Sequence, residues 1–345
     1  MPGGKVQKLP FIAVRGAGDG PTYYVQAAQH GIELTGTETT RRLALSLNPK
    51  ELSGSLIAVP VANPLAVRCR MPFYGMREGE PYSMDHPHQM NTLWPGDPRG
   101  NETERIAHAL HQNLVWRADF VIDLHCHVRW KSKLAISCSW DKRSVEIARY
   151  LGLMFVRREP KSAFRGRMRG MLHYVATKEG RAAVAVEHSG MRWIWGDQAK
   201  VVARGIMNVM RLHGALPGEP VEPGEQYLYL EDRHVDIESD LEGLIVTDKG
   251  PEERVSRGEG IMEIIDLGTL KSTPIRSPID GVVYELAIMT PNPDTKFSDT
   301  MPLATRGCKL ASVYRAKKAN RINRVGSTHP FTIAQDASRK PKRKP

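Results

Sequence analysis

Apolar and polar positions alternate with two different periods along the first 216 residues. Short apolar runs of strand length predict β-strands, and longer segments with apolar residues at every third or fourth position predict helices. This pattern favours an α/β fold in which helices cover both faces of a mixed, mostly parallel sheet. The predicted strands are 11–14, 23–28, 55–61, 120–124, 134–137 and 183–186, and the predicted helices are 38–47, 103–114, 144–151 and 198–213.

One helix start is encoded by local chemistry. Asn101 is placed to cap the second predicted helix, and Glu104 follows three residues later. An Asn side chain can accept from the first free backbone N–H groups, while a glutamate at this spacing reaches back to the cap residue. The pair therefore predicts a capping box.

The pattern changes after residue 216, where the proline-rich stretch PGEPVEPGEQ marks a linker. Short alternating runs separated by Gly, Pro and Asp follow it and are typical of an antiparallel β structure. We therefore expect a catalytic domain over 1–216 and a small β domain over 217–314. We also expect the second domain to pack over the catalytic cleft and to narrow its entrance.

Charge separates a third segment. The chain of 345 residues has a net charge of +11, and residues 315–345 hold ten Lys or Arg and one acid, which leaves only +2 for the rest. The tail is predicted to be disordered at least from residue 337. A solvated extension is the favoured interpretation, and contact with nucleic acid, which is the less favoured one, would be restricted to the tail. An apolar fraction of 41% is ordinary for a globular protein.

Three side chains form the ligand set of a catalytic metal. His30 and Glu33 follow the strand predicted at 23–28, and His125 follows the strand predicted at 120–124. Ligands at the ends of parallel strands converge at one edge of an open sheet. Two imidazoles and one carboxylate fill three tetrahedral positions of Zn²⁺ and leave the fourth for water. Either motif alone is weakly specific, so the prediction of one zinc ion depends on their combination.

Two further carboxylates fit this site. Asp123 lies two residues before His125 on the same face of the strand, where it can orient a ligand histidine. Glu187 ends the buried run RAAVAVE, which is predicted to be a central strand of the same sheet. A carboxylate near the metal that does not ligate it is suited to take a proton from water and return it to a leaving nitrogen.

Five short motifs occur in order along the chain: HGIE from His30, NPLA from Asn63, MNTLWPG from Met90, DLH from Asp123 and VEHSG around Glu187. Their order resembles the succinylglutamate desuccinylase and aspartoacylase family, a branch of the zinc carboxypeptidase fold. The resemblance covers about residues 8–310. It implies a monozinc deacylase that hydrolyses an N-acyl amide of a small amino acid or diamine derivative.

The resemblance also assigns roles residue by residue. It implies His30, Glu33 and His125 as zinc ligands and Glu187 as general base. An arginine after the NPLA motif would polarise the substrate carbonyl, and we prefer Arg70 for this role because its spacing fits better, with Arg68 as the substrate-binding alternative. Asn63 and Asn91 are further substrate-binding candidates.

The chain departs from the family pattern at Thr92, where relatives commonly have an arginine that binds a substrate carboxylate. Threonine cannot form a bidentate clamp of that kind. Either the substrate lacks this carboxylate or an arginine of the run FRGRMRG, with Arg169 as our candidate, replaces the missing one.

The segment between Arg70 and Trp94 is long for a connection inside a compact domain, which predicts a binding loop. Its two histidines, His86 and His88, are separated by one proline and lack the helical or strand geometry that would direct both rings at a second metal.

Two other function classes remain open from the sequence. A metallocarboxypeptidase would use the same ligands and base but needs an arginine for the terminal carboxylate. A non-enzymatic zinc protein that binds nucleic acid through its tail would not need all four of His30, Glu33, His125 and Glu187. Sparse cysteines and the absence of a long apolar run favour a cytoplasmic protein without a membrane partner. A monomer and a homo-oligomer fit equally.

Overall fold

The computed structural model of the protein describes residues 6–287 and 302–316. The predicted tail therefore lies outside the described residues from position 317 onwards. The elements up to residue 228 are β1 Ile12–Arg15, β2 Gly18–Ala27, α1 Thr35–Ser46, β3 Ser53–Val59, α2 Pro64–Cys69, α3 Glu102–Asn113, β4 Phe120–Cys126, β5 Trp130–Lys131, β6 Leu134–Cys138, α4 Lys142–Tyr150, β7 Phe155–Glu159, α5 Leu172–Lys178, β8 Ala182–His188, α6 Gly196–Leu212 and β9 Tyr227–Leu228.

Eight strands form one mixed sheet in the order β1-β3-β2-β4-β8-β6-β7-β9. The central strands β2, β4 and β8 run parallel to one another, while β6 is antiparallel to β8. This arrangement confirms the predicted fold class. It also brings the carboxyl ends of the three central strands to one edge, where β2 and β4 lead to the residues predicted to hold a metal.

Two hydrophobic cores lie on opposite faces of this sheet. Tyr23 and Val25 pack into the core shared with α1, α4 and α6, whereas Tyr24 between them packs into the core shared with α3 and α5. Successive side chains of a strand point to opposite faces, so this alternation shows that β2 is covered on both sides. Coverage on both faces explains why the central strands are continuous apolar runs in the sequence.

The helix start at Asn101 is confirmed. The Asn101 side chain accepts hydrogen bonds from the backbone N–H groups of Thr103 and Glu104, and the Glu104 carboxylate accepts from the backbone N–H of Asn101. All four predicted helices are present, with ends that differ from the prediction by at most three residues.

The remaining strands form two smaller antiparallel sheets. β5 joins one of them by pairing with β15 (Gly281–Leu286), and Leu286 is opposite Trp130 in this pair. Since β5 begins five residues after His125, the second unit is attached to the chain segment that leaves the predicted metal site. The strands are β10 His234–Glu238, β11 Gly243–Thr247, β12 Arg254–Val255, β13 Gly260–Ile265, β14 Ser272–Arg276, β15 Gly281–Leu286, β16 Leu303–Ala304 and β17 Lys309–Tyr314.

β9 lies beyond residue 216 and still pairs with β7 of the large sheet. The domain division at that residue stays a prediction, as does the narrowing of the cleft by the second unit. Within residues 6–287 and 302–316, no helix has both the length and the apolar character needed to cross a bilayer.

Candidate metal centre

The chain turns sharply between β2 and the first two predicted ligands. β2 ends at Ala27, and Ala28 adopts a left-handed backbone conformation with φ of 57°. This turn directs His30 and Glu33 across the end of the neighbouring strand β4, which contains His125. All three side chains are buried. Residues 92 positions apart in the chain thus meet at the sheet edge that the sequence predicted.

One ligand atom from each of His30, Glu33 and His125 lies within 4.8 Å of the others. His30 Nδ1 is 2.7 Å from Glu33 Oε1, and His125 Nδ1 is 3.1 Å from Glu33 Oε2. Tetrahedral zinc with bonds of about 2.0–2.1 Å separates its ligand atoms by about 3.3 Å. The two distances from the histidines to the carboxylate are therefore close to the spacing that one ion requires.

The partners of the outer ring nitrogens determine where the imidazole protons lie. The Asn91 backbone N–H donates to Gln89 Oε1, so the Gln89 atom 2.6 Å from His30 Nε2 is an oxygen. Likewise, His125 Nε2 is 3.0 Å from Asp123 Oδ2, a carboxylate oxygen that only accepts. Each ring therefore carries a proton on Nε2 when it is neutral.

It follows that each neutral ring presents the lone pair of its Nδ1 to the carboxylate of Glu33. Three lone-pair donors that converge without a proton between them repel one another, unless the rings take up second protons or a cation binds among them. Nitrogen and oxygen donors in this arrangement fit Zn²⁺. The chemistry of the donor set thus agrees with the predicted cofactor.

The electrostatics around Glu33 support an ionised ligand. Burial would raise the pKa of this carboxyl, but in the metal-free site, where the rings can take up second protons, the charges and hydrogen bonds of His30 and His125 outweigh burial and hold it well below its usual range. The backbone N–H of Cys126 also donates to Glu33 Oε2, at 3.0 Å. An ionised carboxylate is the form that binds a metal.

Glu187 lies next to this group in the sheet. It is paired in register with His125 across the parallel strands β4 and β8, and its side chain is 22% exposed. Burial raises the pKa of Glu187 to about 7, with opposing contributions from the charges of His125 and Glu33. His127 Nδ1 is 3.9 Å from Glu187 Oε2, and burial lowers the pKa of His127 to about 3, so that ring is neutral.

Asp123 is fully buried and contacts His125 as described above. Its two carboxylate oxygens also accept from Gln26 Nε2 at 3.0 Å and from Gln29 Nε2 at 2.6 Å. Burial opposes the ionisation of Asp123, whereas His125 and the two amides lower its pKa. The predicted contact between Asp123 and a ligand histidine is present.

Sequence reasoning missed three buried glutamines that surround the ligands: Gln26, Gln29 and Gln89. Gln29 also accepts from the indole N–H of Trp94 at 2.7 Å, and Gln26 accepts from the Tyr24 hydroxyl at 2.7 Å. The only signal for Gln29 was its position directly before His30. Gln89 had no signal, because a glutamine in a polar loop is ordinary.

The candidates after the NPLA motif lie around the short helix α2. Asn63 is buried and caps this helix by accepting from the Ala66 N–H, while its amide donates to the Gln29 carbonyl at 3.1 Å. Arg68 is exposed and donates to Gln7 at 3.0 Å. Arg70 ends the helix in a left-handed conformation and is also exposed. Among the described residues, its side chain makes no hydrogen bond or ion pair.

The long loop after Arg70 folds over His30. Phe73 and Tyr82 pack edge-on against the His30 ring, with centroid distances of 5.7 and 6.1 Å. His86 stacks on Phe73, and His88 Nδ1 is 2.9 Å from the Thr103 hydroxyl. Both loop histidines therefore have contacts outside the metal ligand group.

Comparison with known proteins gives the family. The family model for the succinylglutamate desuccinylase/aspartoacylase catalytic domain matches residues 19–213, more than half of the chain. The protein belongs to this family. The matched segment contains His30, Glu33, His125 and Glu187.

Relatives of the family show the same fold. The chain is 26% identical over 286 residues to N-alpha-acetyl-L-2,4-diaminobutyric acid deacetylase from Halomonas elongata, and this alignment covers 80% of each protein. A succinylglutamate desuccinylase/aspartoacylase structure from Rhodobacter sphaeroides matches with a TM-score of 0.62 at 21% identity, over 88% of both chains. The product-bound ectoine utilization protein EutE (DoeB) from Ruegeria pomeroyi matches with a TM-score of 0.61, also at 21% identity and 88% coverage of both.

The desuccinylase/aspartoacylase pattern breaks at Thr92, and the structure places the arginine run beside this break. Thr92 is buried and donates from its hydroxyl to the Gln89 carbonyl at 3.1 Å. A Cβ added to Gly170, the last residue of the run, would lie 2.0 Å from the Thr92 carbonyl oxygen. The backbone of the exposed Arg169 therefore lies one residue from the point where the run approaches Thr92.

Proposed function

We propose that this protein is a zinc-dependent deacylase that hydrolyses the N-acyl amide bond of a small amino acid or diamine derivative. One observation supports this proposal most strongly. Three lone-pair donors converge at the end of the central strands, next to a carboxyl group whose pKa is raised to about 7. A metal-ligand set beside a separate near-neutral acid is an arrangement suited to hydrolysis.

The first assignment concerns the metal. His30 and His125 would bind it through Nδ1 and Glu33 through its carboxylate. Zinc held there supplies Lewis acidity, which makes a water molecule more acidic and polarises a substrate carbonyl. Asp123 accepts from His125 Nε2 and keeps the other nitrogen of this ring free for the metal.

Glu187 is the proposed general base and acid. In its ionised form it removes a proton from the attacking water, and in its protonated form it donates that proton to the departing amine nitrogen. Burial raises the pKa of this group to about 7 in the metal-free site, and a bound cation would lower it again, so the ionised base is populated at neutral pH. The His127 ring beside Glu187 is neutral and therefore adds no charge that would favour the ionised form of this carboxyl group.

Arg70 is the proposed stabiliser of the developing oxyanion, with Arg68, Asn63 and Asn91 as candidates for substrate contact. The left-handed backbone at Arg70 lets the chain leave α2 without a further helical turn, and its guanidinium lacks a partner among the residues that the structure describes. A free guanidinium can bind a developing negative charge without first breaking an ion pair.

The relative from Halomonas elongata supports the substrate class, because its name describes removal of an acetyl group from a diamino acid. We propose that Arg169 binds the substrate carboxylate in place of the arginine missing at Thr92. The Trp94 backbone N–H donates to the Gly170 carbonyl at 3.0 Å, which supports a position of the arginine run near Thr92.

The test is a substrate screen with zinc-loaded protein. N-acetyl, N-succinyl and N-formyl derivatives of amino acids and diamines are compared with N-blocked dipeptides, and the released amine is measured. The proposal predicts turnover of at least one small N-acyl amine. Cleavage of dipeptides alone would instead favour a metallocarboxypeptidase, and loss of zinc without loss of turnover would contradict the metal assignment.

A further inference from the structure

We infer that Gln89 is a positioning residue for the metal ligand His30, and that it couples metal binding to the placement of the loop of residues 71–90. The inference rests on the proposed function only in taking His30 as a ligand. Gln89 belongs to the loop, whereas His30 belongs to the turn after β2. A bond between them therefore joins a surface segment to the metal centre.

The contacts of Gln89 are specific and use both ends of its amide. The side chain is fully buried. Its oxygen accepts from His30 Nε2 at 2.6 Å and from the Asn91 backbone N–H at 3.3 Å. Its nitrogen donates to the Tyr82 hydroxyl at 3.0 Å. Because both ends are engaged, the amide cannot rotate by 180° without placing its NH₂ group against two donors.

This arrangement selects one tautomer of His30. An acceptor at Nε2 keeps the proton there and leaves the lone pair of Nδ1 directed at the position shared with Glu33 and His125. Without the acceptor, the proton on a neutral ring could occupy either nitrogen, and the Nδ1–H form could not bind a metal. Residues that orient ligand histidines in this way contribute about 10-fold to 100-fold to metal affinity.

The two ligand histidines are supported differently. His125 is oriented by Asp123, which is located on the same central strand and cannot move away independently. His30 is oriented by Gln89 at the end of a loop whose rings Phe73 and Tyr82 also pack on it. Displacement of the loop would therefore remove the hydrogen-bond acceptor and the two ring contacts of His30 together. Conversely, a bound metal that fixes His30 would hold the loop in place.

The experiment measures zinc affinity by competition with a chromogenic chelator, and loop protection by limited proteolysis with and without zinc. Gln89→Leu removes the acceptor at similar volume and is expected to weaken zinc binding by about 10-fold to 100-fold. It is also expected to lose most of the zinc-dependent protection of residues 71–90. Gln89→Glu restores an acceptor and is expected to bind zinc at least as tightly as the parent.

Tyr74→Phe is the matched control. It removes a hydroxyl group of the same loop, and this hydroxyl makes no hydrogen bond with any described residue. It should retain the zinc affinity of the parent. If circular dichroism shows that Gln89→Leu does not fold, Gln89→Met tests the same loss with a flexible side chain.

Parental zinc affinity and parental protection in Gln89→Leu or Gln89→Met would overturn the inference. If the parent binds zinc and hydrolyses N-acyl substrates in that case, the proposed function stands without it. A parent that binds no zinc would overturn both.

Discussion

Replacement of Glu187 by glutamine tests the chemistry of the site while changing its shape very little. The amide has nearly the volume of the carboxyl group but cannot accept the proton of water. Glu187 is not among the three residues whose donor atoms converge. We therefore expect Glu187→Gln to fold and to bind zinc as the parent does, while its turnover falls.

General acid and base catalysis contributes about 10²-fold to 10⁴-fold to a rate. This range corresponds to about 3–5 kcal/mol of activation free energy, which is the predicted loss in kcat. The pH dependence follows from the same group. Protonated Glu187 cannot act as a base, so kcat/KM of the parent should rise with pH through the pKa of this group and level off above it. Burial raises this pKa to about 7 in the metal-free site, and a bound cation lowers it, so the midpoint of the rising limb should lie below about pH 7.

Stability of the metal-free protein provides an independent check of this pKa. Because the folded pKa of Glu187 is raised above its unfolded value of 4.5, the favourable contribution of its neutral form is complete below pH 4.5 and is lost as pH rises to about 7. Glu187→Gln stays neutral throughout. Its melting temperature relative to the parent should therefore increase across this window.

The assay follows amine release by zinc-loaded protein from pH 4.5 to 9, with zinc content measured on the same samples. Glu51→Gln, which changes an exposed glutamate before β3, is the matched control and should keep both turnover and pH profile. Turnover of Glu187→Gln within about threefold of the parent would refute the assignment of Glu187 as base, since a threefold loss is far smaller than the loss expected for a catalytic base.

Three further changes test other parts of the account. Asp123→Asn replaces an acceptor oxygen with an NH₂ group that faces hydrogen-bond donors, so the His125 ring is oriented less firmly. Zinc affinity measured by chelator competition should therefore fall about 10-fold to 100-fold. Gly170→Ala forces a Cβ against a carbonyl oxygen at 2.0 Å and should lower stability in urea by about 1–3 kcal/mol, whereas Gly224→Ala, which meets no atom within 4 Å, should not. Arg169→Gln should raise KM about tenfold for substrates with a carboxylate, the loss of about one charged hydrogen bond, and leave KM unchanged for N-acyl amines without one.

The sequence predicted those parts of the fold that depend on local periodicity. The central strands are continuous apolar runs because both of their faces are covered, and Asn101 with Glu104 encodes a helix start by direct hydrogen bonds. Elements without a local signal were missed. The six residues of α2 are too few for a helical period, and two arginines interrupt the apolar pattern of β7.

The convergence of His30, Glu33 and His125 was predictable because ligand chemistry restricts residue type and because strand ends converge. Their supporting residues were less predictable for a physical reason. Gln29 and Gln89 act through the direction of an amide, which depends on a fold-specific partner and leaves no periodic trace in the sequence. The pairing of β5 with β15 joins residues about 155 positions apart, and it too leaves no periodic trace in the sequence.

X-ray absorption at the zinc edge of the purified protein, with metal content determined on the same sample, tests the central claim most directly. We predict about one zinc ion per chain, with two imidazoles and oxygen donors at about 2.0–2.1 Å. Sulfur scattering at about 2.3 Å would contradict the assigned ligand set. Full hydrolytic activity in protein that contains almost no metal would contradict the account as a whole.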